Sequence, residues 1–341
     1  DGGGQVITNP VTATVPRRRA LLALTMVLVV PAVDRVLISS LSATAQEAAH
    51  AGETAVRVLP VRDNIYMLAG AGGNITMQLG ADGVLLVDAG RAAMADQVLA
   101  AIRAISTASV RQLILTHAHP DAAGGVAKLR QAGNAVLGGN FADRPGAAIL
   151  AHESTALKLS EGPSAGTPTD SYFVARHDFY FNGEPVEILH QPKAHTAGDS
   201  LVFFRKSDVL SVGDILDMTA YPMIDEAAGG SINGVIAGLN RILEITVPAT
   251  LQEGGTIVIP GKGRQCDEGD VNWYRYMVTV IRDRVQDMVS KGMTVQQVKA
   301  ARPTLEYDAR FGSTSGAWTT DMFVEAVYRG VGGTQRKPEI K

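Results

Sequence analysis

From position 55 onward, short apolar runs alternate with turn residues. Val56-Arg57-Val58-Leu59, Ile65-Tyr66-Met67-Leu68, Ile75-Thr76-Met77-Gln78-Leu79 and Val84-Leu85-Leu86-Val87 all have strand length. Residues 60–64, 70–73 and Asp82-Gly83 punctuate them with proline, glycine and Asx signals, which predicts an antiparallel meander. Over 92–105 the period changes. Met94, Val98, Leu99, Ile102 and Ile105 recur at helical spacing. Leu113-Ile114-Leu115 reads as a buried strand, 124–131 as a helix and 147–150 as another strand. The pattern then restarts, with strands at 179–181, 186–189, 201–204, 209–212 and 256–259 and a helix over 232–245. Helical stretches follow at 271–291, 295–301 and 319–328. Two successive strand-then-helix halves predict an α/β fold in which two sheets pack face to face with helices outside.

Composition narrows the function. Hydrophobic residues make up 46% of the 341 and charged residues 19%, with a net charge of −3 and no long block of one sign. That excludes a disordered chain and an electrostatic nucleic-acid binder, and favours a small-molecule partner. Oligomeric state is silent. Cys266 is the only cysteine, so any metal must be held by histidine and carboxylate, and nothing in the sequence activates the thiol.

The N-terminus has its own pattern. Arg17-Arg18-Arg19 precedes an apolar run over 20–33, and Ala43-Thr44-Ala45 has the small residues of a cleavage site. A secretory signal over 1–45 is expected, and with it a periplasmic or secreted protein with no stable membrane insertion after cleavage. An uncleaved anchor is the alternative, against which the short apolar run argues. Cleavage after Ala45 would remove four arginines and two aspartates, leaving the mature chain at −5.

The chemistry concentrates in Leu115-Thr116-His117-Ala118-His119-Pro120-Asp121-Ala122-Ala123-Gly124-Gly125, where a strand runs into a helix. In extended backbone His117 and His119 project to one side, with Asp121 one step further on that side. Two imidazoles so placed can share a metal. His195, in the loop Ala194-His195-Thr196-Ala197-Gly198-Asp199, is the best third ligand, and Asp214 at the end of the next strand could approach the same face. His152 follows a strand and could face the site, although a surface histidine is the favoured reading.

These residues resemble the metallo-β-lactamase superfamily, which includes glyoxalase II-type thioesterases, lactonases and β-lactamases. The resemblance spans about 56–263. It rests on the order and spacing of Val87-Asp88-Ala89-Gly90, His117-x-His119-x-Asp121, His195-Thr196-x-Gly198-Asp199, Gly213-Asp214 and Pro260-Gly261-x-Gly263. It implies a four-layered αβ/βα sandwich over 55–268, followed by a helical extension over 269–341 packed on the same domain. It also implies that His117, His119 and His195 hold a first zinc. Asp121 and Asp214 would serve a second metal, and Asp88 would support the ligands or simply end a strand. The sequence departs from the family pattern twice. Ala122 stands where the last histidine of H-x-H-x-D-H belongs, and Lys262 replaces the histidine of P-G-H-G. Neither alanine nor a protonated lysine can ligate, so one zinc is expected at most.

Two placements of Lys262 are open, between Asp121 and Asp214 in place of the second cation or out in solvent. The expected activity is a mononuclear hydrolase with Asp121, Asp214 and Lys262 in its machinery. Its zinc-activated water would attack a small ester, thioester, lactone or β-lactam. The rival is a catalytically degenerate protein that binds metal or ligand. A purely structural interaction domain would leave three converging histidines unexplained.

Overall fold

The computed structural model describes residues 55–136, 143–162 and 166–332, so the expected signal and anchor segments lie outside the described residues. The meander opens the fold as β1 (Arg57–Arg62), β2 (Ile65–Ala69), β3 (Ile75–Gly80) and β4 (Gly83–Val87), each antiparallel to the next. Helix α1 (Ala95–Ile105) then crosses over to β5 (Val110–Leu115), which is parallel to β4. Two short helices follow, α2 (Pro120–Ala123) and α3 (Val126–Gln131), then a separate pair, β6 (Asn134–Val136) and β7 (Asp143–Pro145). Strand β8 (Ala148–His152), helix α4 (Glu153–Ser160) and β9 (Asp170–Tyr172) complete a seven-stranded sheet in the order β1-β2-β3-β4-β5-β8-β9.

The second sheet runs β10 (Arg176–Phe181), β11 (Glu184–Gln191), β12 (Asp199–Phe204), β13 (Val209–Ser211) and β14 (Ile257–Ile259). Helix α5 (Ile232–Ile245) lies between β13 and β14, which pair in parallel. The chain continues through α6 (Glu268–Ser290), α7 (Val295–Ala301), α8 (Asp308–Phe311) and α9 (Thr320–Gly330).

Strand periodicity decides the layering. Leu86, Leu113, Leu115, Ile149 and Ala151 face α1 and α3, where Val98, Leu99, Ile102, Val126 and Leu129 meet them. The residues between them, Leu85, Val87, Ile114 and Leu150, point the other way against Ile188, Val202, Phe204 and Ile259 of the second sheet. On the far side Leu201, Phe203, Leu210 and Val258 pack against α5, α6 and α9. Three apolar interiors separating helix, sheet, sheet and helix make this the four-layered α/β sandwich.

Three details differ from the sequence reading. The helical turn after the histidines begins at Pro120 rather than Gly124, because proline suits a first helical position. Residues 126–131 then form their own short helix. His152 is buried rather than on the surface, with its ring stacked on His190 at 3.5 Å between centroids. No helix among the described residues is long and apolar enough to cross a membrane.

Candidate metal centre

The site residues gather where strands end. Asp88 follows β4, His117 follows β5, Asp214 follows β13 and Lys262 follows β14, and in each sheet these strand pairs run parallel. His195 sits in the connection from β11 to β12. Carboxyl ends of parallel strands in two packed sheets thus supply one edge, a usual place for ligand sites in α/β sheets. Asp88 takes a left-handed backbone (φ +67°), which turns its carboxylate back to accept from the Thr116 amide at 2.8 Å. The Thr116 hydroxyl also donates to it, at 2.8 Å.

Each histidine spends its outer nitrogen on an acceptor. The Thr116 hydroxyl, whose hydrogen points at Asp88, accepts from His117 Nδ1 at 3.0 Å. His195 Nδ1 lies 2.8 Å from the Met223 carbonyl, which can only accept. His119 Nε2 lies 2.9 Å from Asp225 Oδ2. With the protons on those outer nitrogens, the inner three, His117 Nε2, His119 Nδ1 and His195 Nε2, face one another as lone pairs. His119 Nδ1 and His195 Nε2 are 2.8 Å apart, and His117 Nε2 is buried with no hydrogen-bond partner. Lone pairs that close repel unless a cation lies among them. These residues fit a metal ion, and the ligating atoms of the set all lie within 4.8 Å of one another.

The second position is occupied by protein. Lys262 Nζ bonds to Asp214 Oδ2 and lies 2.9 Å from Asp121 Oδ2, which is the placement between the two carboxylates. Its loop is fixed from both sides. Asn74 Nδ2 donates to the carbonyls of Pro260 and Gly263, each at 2.9 Å, and the Gly261 amide donates to the Gly213 carbonyl at 2.8 Å. Gly261 has to be glycine, because a Cβ there would collide with Asp214 Oδ1. Ala122 is buried and brings no donor atom.

A model of the metallo-β-lactamase superfamily matches residues 69–244, just over half of the chain. The chain belongs to the metallo-β-lactamase superfamily. Among solved structures, the sec-alkylsulfatase Pisa1 from Pseudomonas sp. superposes with a TM-score of 0.60 at 14% identity, covering 80% of this chain and 50% of that one. A double mutant of the same sulfatase gives the same figures, so this chain spans about half the length of those structures. A metallo-β-lactamase from Pontibacter korlensis gives 0.51 at 18% identity, covering 66% of this chain and 99% of that one. No curated protein sequence matches. At these identities the structural likeness is one of fold.

Charge in this superfamily member's site is tightly balanced. Burial pushes His117 down to about 3, reinforced by His195, so its ring is neutral and free to ligate. Burial also lowers His195. For Asp214 burial acts upward, but His117, Lys262 and His195 outweigh it and hold the carboxyl at about 2. Burial alone would lower Lys262, yet Asp214 and Asp121 raise it well above the usual lysine value, so it stays an ammonium. Asp121 is lowered in turn, Lys262 and His117 prevailing over burial and Asp214. Further out, burial lifts Asp88 to about 7 and Asp199 to about 8. Asp199 accepts from the Thr196 amide at 2.7 Å and so shapes the His195 loop. Cys266 is buried and its thiol is pushed up to about 12 by burial, which leaves it unreactive.

The structure brings together His117, His119, His195, Asp121, Asp214 and Lys262. Sequence reasoning missed Asp225, which is 106 residues from the histidine it holds. Only a carboxylate at the start of the Asp225-Glu226-Ala227-Ala228-Gly229-Gly230 loop could have marked it, and that signal is weak.

Proposed function

We propose that this protein is a metal-dependent hydrolase that holds a single zinc at His117, His119 and His195. Its substrate would be a small ester, thioester, lactone or β-lactam. The supporting observation is the buried, unpartnered His117 Nε2 facing two other imidazole nitrogens whose protons are engaged elsewhere. Three imidazoles suit zinc among the common divalent metals. Zinc bound there would supply Lewis acidity, polarising a carbonyl and making water acidic enough to attack near neutral pH.

The chain's own residues complete the arrangement. Asp121 is ionised and partly exposed, so it can hold the attacking water through one of that water's protons. Its lowered pKa makes it a weak base, so its part is orientation more than proton removal. Lys262 sits beside it as a fixed positive charge, able to offset negative charge as it grows on a substrate oxygen. Metal content of the purified chain, read with chromogenic ester, lactone and β-lactam substrates, tests the proposal. About one zinc per chain with turnover of at least one substrate is expected, and His117→Ala should abolish both. A parent chain that takes up no metal would overturn it.

A second reading has one observation in its favour. The Lys262 ammonium fills the second metal position and Ala122 offers no ligand there, which also suits a protein that binds metal or ligand without turnover. The double substitution Ala122→His with Lys262→His separates the two. If the parent is silent on every substrate and the double variant gains a second zinc and hydrolysis, the binding-module reading holds. Export belongs to the same proposal, supported by the arginines and apolar run ahead of Ala43-Thr44-Ala45. Fractionation of a C-terminally tagged chain tests it, a processed product outside the cytoplasm being expected.

A further inference from the structure

Beside the histidines lies a pocket of about 470 Å³ that the metal chemistry does not use. Its walls come from three segments, the strand-to-helix turn at Ala118 and Pro120, the loop at Ala197 and Gly198, and the loop at Ala227 and Ala228. Helix α4 closes the fourth side, with Leu157 exposed at the rim. His119 itself lines the pocket, so the space reaches to within one imidazole ring of the point where the three histidines converge.

The walls are joined directly. The Ala197 amide donates to the Ala228 carbonyl at 2.8 Å, and the Asp225 amide to the His195 carbonyl at 3.0 Å. Thr155 Oγ1 donates to the Gly198 carbonyl at 2.9 Å, and a side chain at position 198 would collide with that hydroxyl. Helix and loop therefore meet only because residue 198 is glycine, and the pocket exists before any ligand arrives.

Its electrostatics select the occupant. Every charged side chain on the wall already has a partner. Asp225 accepts from His119 and, through Oδ1, from the Ala228 amide at 2.9 Å. Lys158 and Glu161 pair with each other at 2.7 Å. The Thr155 and Thr196 hydroxyls donate to Gly198 and Asp199. Apart from the Ser154 hydroxyl, these residues leave mainly methyl, methylene and already-paired backbone surface facing the space, a poor host for an ionic or sugar group.

We propose that this pocket receives the neutral, apolar acyl chain of the substrate, making the protein selective for esters of aliphatic acids. The substrate class rests on the hydrolase reading above, whereas the pocket's preference for an apolar chain does not. Straight-chain primary amides of four to eight carbons, titrated into the protein as purified, test the preference without turnover. Binding is followed through the imidazole nitrogen resonances of His119. The dissociation constant should fall about fourfold for each methylene buried, until the pocket is full. Ala228→Leu should flatten that dependence by filling the space. Leu157→Asp, at the exposed rim where folding is not at stake, should weaken the longer amides at least tenfold. Zinc uptake should match the parent in both variants. Affinity independent of chain length, or variants that bind octanamide as the parent does, would overturn the inference. A parent that binds the amides with the expected slope but takes up no zinc would overturn the hydrolase reading and leave the pocket standing.

Discussion

Among the described residues Asp225 forms no hydrogen bond to Asp121, Asp214 or Lys262, yet it fixes which nitrogen of His119 faces the other imidazoles. Its carboxylate can only accept, so the proton stays on Nε2 and Nδ1 keeps its lone pair. Asp225→Asn allows the amide to donate instead, which would move the proton to Nδ1 and aim it at the metal. Metal affinity should fall about 10–100-fold, read by competition with a chromophoric chelator. Asp225→Glu should recover part of it, and unchanged affinity in Asp225→Asn would remove the residue from the site. Lys262 is tested differently. Lys262→Met keeps most of its volume but leaves Asp121 and Asp214 facing each other without a cation. Removing one partner of a mostly buried pair costs about 3 kcal/mol, which urea denaturation of the metal-free protein should show. A loss below about 1 kcal/mol, the range of a solvent-exposed pair, would mean that the ammonium does not neutralise those carboxylates.

Between residues and fold stand the elements, and here the sequence was readable where periodicity was strong. The unbroken apolar runs of β4 and β5 mark them as strands, which the described structure buries on both faces, and the helical spacing in α1 announces the face that it buries. The pairs β6–β7 and the edge strand β9 carry no such pattern, because Asn134–Val136, Asp143–Pro145 and Asp170–Tyr172 have too few apolar residues to repeat anything. The cluster of three histidines was legible because His117 and His119 stand two positions apart and His195 lies in a glycine-containing loop. Asp225 was not, since only the folded chain brings it to His119.

His152 shows the same limit. Nothing local says that its ring will stack on His190 and accept from the Ser154 amide as the cap of α4. Burial, with His190 adding to it, depresses His152 to about 4. A group held below its unfolded value of 6.5 contributes stability that is complete above about pH 6.5 and is lost as pH falls towards 4. His152→Asn retains a capping side chain but does not titrate. Its unfolding free energy should therefore change less than the parent's between pH 7 and pH 4.5, and equal slopes would remove His152 from the pH response.

At the scale of the molecule, the helices after β14 share an interior with the second sheet. Val271, Tyr274, Val278, Phe323 and Val327 are buried together with Leu210, Val212 and Leu239. Phe323 is fully buried and stacks on Tyr221 with 4.7 Å between ring centroids, and Tyr221 belongs to the segment that leads from Asp214 to Asp225. A shared interior of this kind predicts that the sandwich and its helices unfold as one unit and that the last helix is coupled to the loop carrying Asp225. Phe323→Ala should lower the unfolding free energy by about 3–5 kcal/mol. Both tryptophans, Trp273 and Trp318, lie in the C-terminal helical region, whereas far-UV dichroism reports on helices and sheets throughout. In the parent and in Phe323→Ala the two signals should trace the same urea transition. If fluorescence changes at a lower urea concentration than dichroism, the helical region unfolds on its own, and α9 then cannot carry stability to the segment between Asp214 and Asp225.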